Sequence, residues 1–135
     1  MAKILLLEDD AVLAGQLKTM LTRGGHDTAL FEDATSAIQH IEQEQVDIVI
    51  ADLFITKNGK FVPDGGIMLN SNIRQLRGAS IPVIAISGSF SEMHGTHATT
   101  TAKTVGATAI LAKPFHPDAL LQMVSTQLET HQAAS

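Results

Sequence analysis

Short apolar runs alternate along the chain with longer stretches in which apolar residues recur every three or four positions. Residues 4–7, 46–51 and 82–86 are nearly continuous apolar runs, and residues 28–31 and 108–112 are weaker examples. Continuous apolar runs of this length are typical of strands that are buried on both faces of a sheet. The pattern therefore predicts five strands.

Amphipathic stretches separate these strands and predict helices. The apolar positions of the first helix are Val12, Leu13, Leu17, Met20 and Leu21. Gly24 and Gly25 end this helix, and Asp33 is a candidate N-cap for the second. The remaining helices are predicted at residues 67–76, at residues 91–105, and from Pro117 at a first helical turn onward. From about Thr130 we expect a frayed polar tail.

Five strands that alternate with five helices predict an α/β fold, a doubly wound five-stranded parallel sheet with helices on both faces. In such folds, binding sites lie outside the carboxyl ends of the strands. The length of 135 residues fits one domain. We expect that domain over residues 1–130, a short tail at residues 131–135 and no effector domain.

The amino-acid composition excludes or disfavours several classes of function. The chain has no cysteine, which excludes disulfides, thiolate metal sites and cysteine nucleophiles. Its net charge is −5 and its nine Lys and Arg residues are scattered, whereas a nucleic-acid-binding domain is expected to carry a basic face. The apolar stretch after Lys3 is too short for a signal peptide or a membrane span. We therefore expect a cytoplasmic protein that neither binds nucleic acid directly nor inserts into membranes.

The residues that follow the predicted strands carry most of the candidate chemistry. They are Glu8, Asp9 and Asp10 after the first strand, Asp52 after the third, Ser87 after the fourth and Lys113 after the fifth. Neighbouring parallel strands lie about 5 Å apart, so these groups can converge. Crowded carboxylates repel one another unless some are protonated or a cation binds, and Mg²⁺ is a hard cation that prefers oxygen ligands. A carboxylate such as Asp52 can be a nucleophile toward phosphorus, with a lysine and a hydroxyl stabilising the phosphoryl group.

Each of these residues alone has an ordinary structural interpretation. Asp10 is more simply the N-cap of the first helix. Asp52 and Ser87 alone are typical of turns, and Lys113 alone is typical of a surface charge. Their joint position at the strand ends is what favours a site for phosphoryl transfer.

Four segments, taken in order, resemble the motifs of the response-regulator receiver domain. Residues 4–10 resemble its acidic opening, residues 47–53 its phosphoacceptor strand, residues 82–88 its switch-hydroxyl strand and residues 113–115 its closing motif. The resemblance covers about residues 2–130. It implies the flavodoxin-like receiver fold in a stand-alone, single-domain protein.

The resemblance also implies a role for each matching residue. The roles are phosphoacceptor for Asp52, direct Mg²⁺ ligand for Asp9 and Asp52, Mg²⁺ ligand through a water for Glu8, Mg²⁺ ligand through the backbone carbonyl for Phe54, switch hydroxyl for Ser87 and phosphate-facing cation for Lys113. The implied function is a signalling switch of a two-component system or phosphorelay. A histidine kinase or histidine phosphotransfer protein would donate the phosphoryl group, and the output would be binding of an unidentified protein or onward phosphotransfer. Self-phosphorylation and slow dephosphorylation would be its only catalysis.

The chain departs from the receiver pattern at three places. The loop after Asp52 is longer than usual and carries Lys57 and Lys60, which could steer anionic donors toward the acidic site. The segment at residues 88–104 is also longer, and Ile110 replaces the usual aromatic residue of the fifth strand. We therefore expect the phosphorylated state to be read through residues 88–104.

Three other function classes compete with the switch. A Mg²⁺-dependent phosphatase that forms an aspartyl phosphate usually has a second Asp just after the nucleophile, but residues 53–55 contain no acid. A flavodoxin-like cofactor binder needs a loop rich in Gly, Ser and Thr after the first strand, and an acidic loop would repel the phosphate of FMN. A degenerate receiver that acts only as an interaction module is disfavoured by the complete acidic set and Lys113.

Overall fold

The computed structural model describes residues 2–8, 10–52, 56–57, 60–61, 81–87, 109–112 and 115–134. The third and fourth helices that the sequence predicts, at residues 67–76 and 91–105, lie outside the described residues, as does the extended segment at 88–104. The described helices are α1 (Ala11–Arg23), α2 (Ala34–Gln43) and α3 (Pro117–Ala134). The strands are β1 (Lys3–Leu7), β2 (Asp27–Phe31), β3 (Ile48–Asp52), β4 (Thr56–Lys57), β5 (Lys60–Phe61), β6 (Val83–Ser87) and β7 (Ala109–Ala112).

The five predicted strands form one parallel sheet in the order β2-β1-β3-β6-β7. The strand order reverses at β1, so the crossovers through α1 and α2 run over opposite faces of the sheet. The sheet confirms the predicted doubly wound α/β fold. Its three central strands are the three nearly continuous apolar runs of the sequence.

Apolar side chains cover both faces of the sheet. Leu5, Leu7 and Val49 pack on one face against α2, whose Ala34, Ala37 and Ile41 are buried there. The opposite face packs against α1 and α3 through a second cluster. Its buried members are Ala2, Ile4, Leu6, Leu17, Leu21, Ile48, Ile50, Ile84, Ile86, Leu120 and Val124. Helices on both faces are thus observed, as the continuous apolar strands require.

Most helix ends follow the sequence signals. Asp33 caps α2 by accepting a hydrogen bond from the Ser36 backbone N–H at 2.7 Å. Helix α1 ends at Arg23 before the two glycines, and Pro117 is the first residue of α3. The expected frayed tail is wrong for residues 130–134, because α3 continues to Ala134. That stretch contains no glycine or proline and ends in two alanines, which favour helix most strongly.

Side chains bind β1 to its neighbours at the amino edge of the sheet. The Asp47 carboxylate accepts a hydrogen bond from the Lys3 backbone N–H at 2.8 Å. The sequence predicted Asp47 within the third strand, but β3 begins one residue later, at Ile48. On the other side, Nδ1 of His26 accepts a hydrogen bond from the Ala2 backbone N–H at 3.3 Å. Burial, aided by the positive N-terminus, lowers the pKa of His26 and so favours the neutral imidazole that this bond needs.

The long loop expected after β3 contains secondary structure that the sequence analysis did not predict. Strands β4 and β5 pair antiparallel, with Thr56 opposite Phe61 and Lys57 opposite Lys60. Two residues, Asn58 and Gly59, connect them, and Asn-Gly is the commonest signal for a two-residue hairpin turn. The segment after the third strand of the sheet therefore includes a β-hairpin.

We predict opposite stability effects of alanine at two glycines of the α1 region. Gly25 has a φ of +88°, a conformation that side-chain-bearing residues adopt at a cost of about 1–2 kcal/mol. Gly15 lies within α1 with no atom within 4 Å of the position that a Cβ would take. In chemical denaturation, Gly25→Ala should lower the free energy of unfolding by that amount, while Gly15→Ala should raise it by about 0.5–1 kcal/mol. Equal effects of the two substitutions would contradict the assigned backbone conformations.

Candidate functional site

The carboxyl ends of β1, β3, β6 and β7 meet at one edge of the sheet. Leu7 pairs with Ala51, so Glu8 and Asp52 follow at the same level of two neighbouring strands. Asp52 pairs in turn with Ile86 of β6, and Ser87 pairs with Ala112 of β7. Adjacent strands are about 4.8 Å apart, so the register brings the two acids and the backbone of Ser87 close together.

Glu8 and Asp52 are buried although both are acids. Glu8 is 2% exposed and Asp52 is 7% exposed. By strand alternation, Glu8 continues the face of Leu6, and Asp52 continues the face of Ile50, which is the side covered by α1 and α3. Two carboxyl groups at neighbouring positions of the sheet edge offer oxygen ligands of the kind that a hard cation prefers.

Local hydrogen bonds order the chain that leaves β1. The Glu8 backbone N–H donates to the Phe31 carbonyl at 3.0 Å, which extends the pairing with β2 by one residue. The Glu8 carboxylate accepts a hydrogen bond from the Asp10 backbone N–H at 3.1 Å. This contact holds the Glu8 side chain against the turn that leads into α1.

Asp10 is the N-cap of α1, which confirms the simpler of its two interpretations. Its carboxylate accepts hydrogen bonds from the backbone N–H groups of Val12 at 3.0 Å and Leu13 at 3.2 Å. These are two of the N–H groups that an α-helix leaves unpaired at its start. The acids at the end of β1 therefore differ in role, since Glu8 faces the buried edge and Asp10 begins the helix.

The other predicted site residues are only partly described. The backbone of Ser87 ends β6, and β7 ends at Ala112, the residue before Lys113 in the sequence. Asp9, Phe54 and Lys113 lie outside the described residues, so their predicted roles stay predictions. Within the described ranges, no group of three His, Asp or Glu side chains is arranged to hold a metal ion. Glu8 and Asp52 nevertheless supply the carboxylate oxygens that Mg²⁺ prefers.

Sequence reasoning placed Val12 with the other apolar positions of α1, but its side chain is 71% exposed. The buried face of the helix is formed by Ala14, Leu17 and Leu21 instead. Val12 lies in the first helical turn, two residues after Asp10, and borders a groove of about 940 Å³ between α1 and α3. The groove is also lined by Gly15, Gln16, Thr19, Met20, Arg23, Pro117, Asp118 and Leu121.

The start of α3 forms the far wall of this groove. Nδ1 of His116 accepts a hydrogen bond from the Asp118 backbone N–H at 3.1 Å, which serves as the side-chain cap of the helix. The His116 carbonyl accepts hydrogen bonds from the backbone N–H groups of Ala119 and Leu120.

Among the helices that the structure describes, none combines the length and apolar character needed to cross a membrane.

The fold and its acidic edge define a flavodoxin-like parallel α/β domain. The family model of the response regulator receiver domain matches residues 4–125, and the chain belongs to this family of two-component signalling domains.

Curated relatives include the regulatory protein VanRc of Enterococcus gallinarum, 29% identical over 131 residues, which span 96% of this chain and 51% of the relative. The virulence transcriptional regulatory protein PhoP of Salmonella typhimurium is 31% identical over 119 residues, spanning 86% of this chain and 47% of the relative. The chain thus spans about half the length of these relatives.

Solved structures show the same fold. A CheY-like receiver domain from Methanospirillum hungatei aligns with a TM-score of 0.84 and 21% identity, covering 100% of this chain and 99% of that one. The receiver domain of the Francisella response regulator 1452 aligns with a TM-score of 0.80 and 25% identity, covering 96% of this chain and 98% of that one. At 21% identity, the alignment with the Methanospirillum hungatei domain is evidence for the fold alone.

We predict that the capping role of Asp10 can be separated from a role of its charge. Asp10→Ala should lower the free energy of unfolding by about 1 kcal/mol because two N–H groups of α1 lose their acceptor. Asp10→Asn should retain most of the stability, since an asparagine side chain is an equally good cap. Urea denaturation of both variants measures the difference. A loss with Asn as large as with Ala would show that the negative charge matters more than the cap.

Proposed function

We propose that this receiver domain is a phosphoacceptor switch that takes a phosphoryl group from a phosphohistidine onto Asp52. The observation that supports this most directly is the level placement of the buried acids Glu8 and Asp52 at the carboxyl edge of the sheet. The donor would be a histidine kinase or a histidine phosphotransfer protein, as for other members of the family.

The reaction needs one nucleophile, which is Asp52. A carboxylate oxygen of Asp52 attacks phosphorus while the phosphorus–nitrogen bond of the donor histidine breaks, and the bonding electrons stay on the imidazole nitrogen. The product is an acyl phosphate on Asp52. Water later attacks this phosphorus, which releases inorganic phosphate and restores the carboxylate.

Charge stabilisation is the main task of the surrounding residues. Mg²⁺, held by Asp9, Asp52, the Phe54 carbonyl and Glu8 through a water, would neutralise negative charge on the phosphoryl group during transfer. Lys113 supplies a second positive charge to the phosphoryl oxygens, and the Ser87 hydroxyl donates a hydrogen bond to one of them.

The carboxyl edge of the sheet also determines how a phosphoryl donor would approach. A protein that presents a phosphohistidine to Asp52 has to approach the carboxyl ends of the strands, where the exposed Val12 offers an apolar contact beside the site. Output is binding of another protein or onward transfer of the phosphoryl group.

We predict that Asp52 is the sole phosphoacceptor. Incubation with phosphoramidate and Mg²⁺ should add one phosphoryl group to the native chain, and peptide mapping should place it on Asp52. Asp52→Asn should gain none, because the amide keeps the size of the side chain but lacks the nucleophilic anion. Asp33→Asn is a matched control, since asparagine retains the cap of α2. Phosphorylation of Asp52→Asn to the native extent would overturn the proposal.

We predict that Asp9 contributes most to Mg²⁺ binding. Asp9→Ala removes both a ligand and a source of carboxylate repulsion, so this variant should lose Mg²⁺-dependent phosphorylation and should melt at the native temperature or higher without metal. Thermal melts with and without Mg²⁺ measure the effect independently of phosphorylation. If Asp9→Ala kept the native Mg²⁺-induced rise in Tm, the metal site would lie elsewhere.

A further inference from the structure

The hairpin formed by β4 and β5 places two lysines opposite each other shortly after Asp52. Lys57 and Lys60 are register partners, and Asn58 and Gly59 lie between them in the sequence. Directly opposed residues of an antiparallel pair have Cα atoms about 5 Å apart, and like charges at such positions repel. The register thus makes two lysine positions direct neighbours, and an anion would offset repulsion between charges at such positions.

The hairpin is also held near the acidic edge of the sheet by the length of the chain. Lys57 is five positions after Asp52, so their Cα atoms are at most about 18 Å apart. Lys60 is placed beside Lys57 by the hairpin register. Both lysines therefore stay within a distance over which charges act on an approaching ion at low ionic strength.

The rest of the charge distribution opposes an anionic substrate. The chain has a net charge of −5, and Glu8 and Asp52 are the buried groups at the edge where a phosphoryl donor must arrive. A phosphoryl group carries negative charge of its own, so these acids would slow its approach. A local pair of positive charges raises the concentration of anions around it and can offset this repulsion.

We propose that the Lys57/Lys60 hairpin attracts the anionic phosphoryl group of the donor and raises its rate of encounter with Asp52. This inference rests on the proposed function and adds to it a residue pair that acts on the donor before the reaction. The lysines act on encounter, so they should alter the second-order rate constant and not the final extent of phosphorylation.

The test compares variants of equal net charge. Lys57→Gln/Lys60→Gln removes the two charges of the hairpin. Lys3→Gln/Lys18→Gln removes two charges elsewhere, at the amino edge of the sheet and on the exposed side of α1. Second-order rate constants are measured with two donors at saturating Mg²⁺, phosphoramidate as a small donor and a chemically phosphorylated histidine peptide as a phosphohistidine donor.

At about 10 mM ionic strength, where the Debye length is about 30 Å, the hairpin variant should react at least about threefold more slowly than the native protein. The control variant should lose clearly less. At about 1 M, where the Debye length is about 3 Å, the native protein and both variants should react alike. Slowing with both donors assigns the effect to the phosphoryl group itself, and slowing with the peptide alone restricts it to phosphohistidine donors.

Two results would overturn the proposal, namely equal rates for the native protein and the hairpin variant, or equal slowing in the control variant. A second measurement separates this from failure of the proposed function. Inorganic phosphate is titrated into the native protein, and the amide signals of Thr56, Lys57, Lys60 and Phe61 are followed. Shifts that disappear in the hairpin variant support anion attraction even if no phosphoryl group is transferred, and absent shifts in a native protein that takes no phosphoryl group overturn it.

Discussion

The burial of two neighbouring carboxylates at the end of an apolar sheet is the constraint on which the site depends. Glu8 and Asp52 are almost fully buried, and moving an ionised carboxylate out of water is costly unless other groups or a cation compensate. The Asp10 backbone N–H provides part of that compensation for Glu8. An edge built this way offers carboxylate oxygens to a cation, and the proposed Mg²⁺ binding and phosphoryl transfer both rest on this feature.

The alignment of the two acids is produced by the core rather than by the acids themselves. Pairing of β1 with β3 is set by apolar side chains that fill both faces, such as Leu5 with Val49 on one side and Ile4 with Ile48 on the other. A slip by one residue would turn every one of these side chains to the opposite face, so the register is strongly specified. Because Glu8 and Asp52 come next on their strands, the packing that specifies the register also brings them level.

The sequence could predict the sheet and the acidic edge because both depend on strong local signals. Continuous apolar runs have few alternative placements, and Asp10 and Asp33 have the residue type and position of helix caps.

Val12 was assigned wrongly because a valine beside Leu13 fits an apolar helix pattern whether or not another element covers it. The hairpin was missed although Asn58-Gly59 signals a turn, because strands of two residues have no detectable periodicity. The roles of Asp9, Phe54 and Lys113 rest on family resemblance, since they lie outside the described residues.

The two like-charge pairs are best understood together. Glu8 with Asp52, and Lys57 with Lys60, are each unfavourable arrangements when considered alone. Lys57 comes five positions after Asp52 in the sequence, which keeps their Cα atoms within about 18 Å of each other. Under the proposed function, a cation bound at the acids would relieve the repulsion between Glu8 and Asp52, and an approaching phosphoryl group would offset that between the lysines. In the proposed switch, repulsion between Glu8 and Asp52 would favour the cation-bound edge, whereas Lys57 and Lys60 would act only while the donor approaches. The proposed switch would thereby gain a difference in interaction free energy between its two states, and such a difference is what any ligand-driven switch requires.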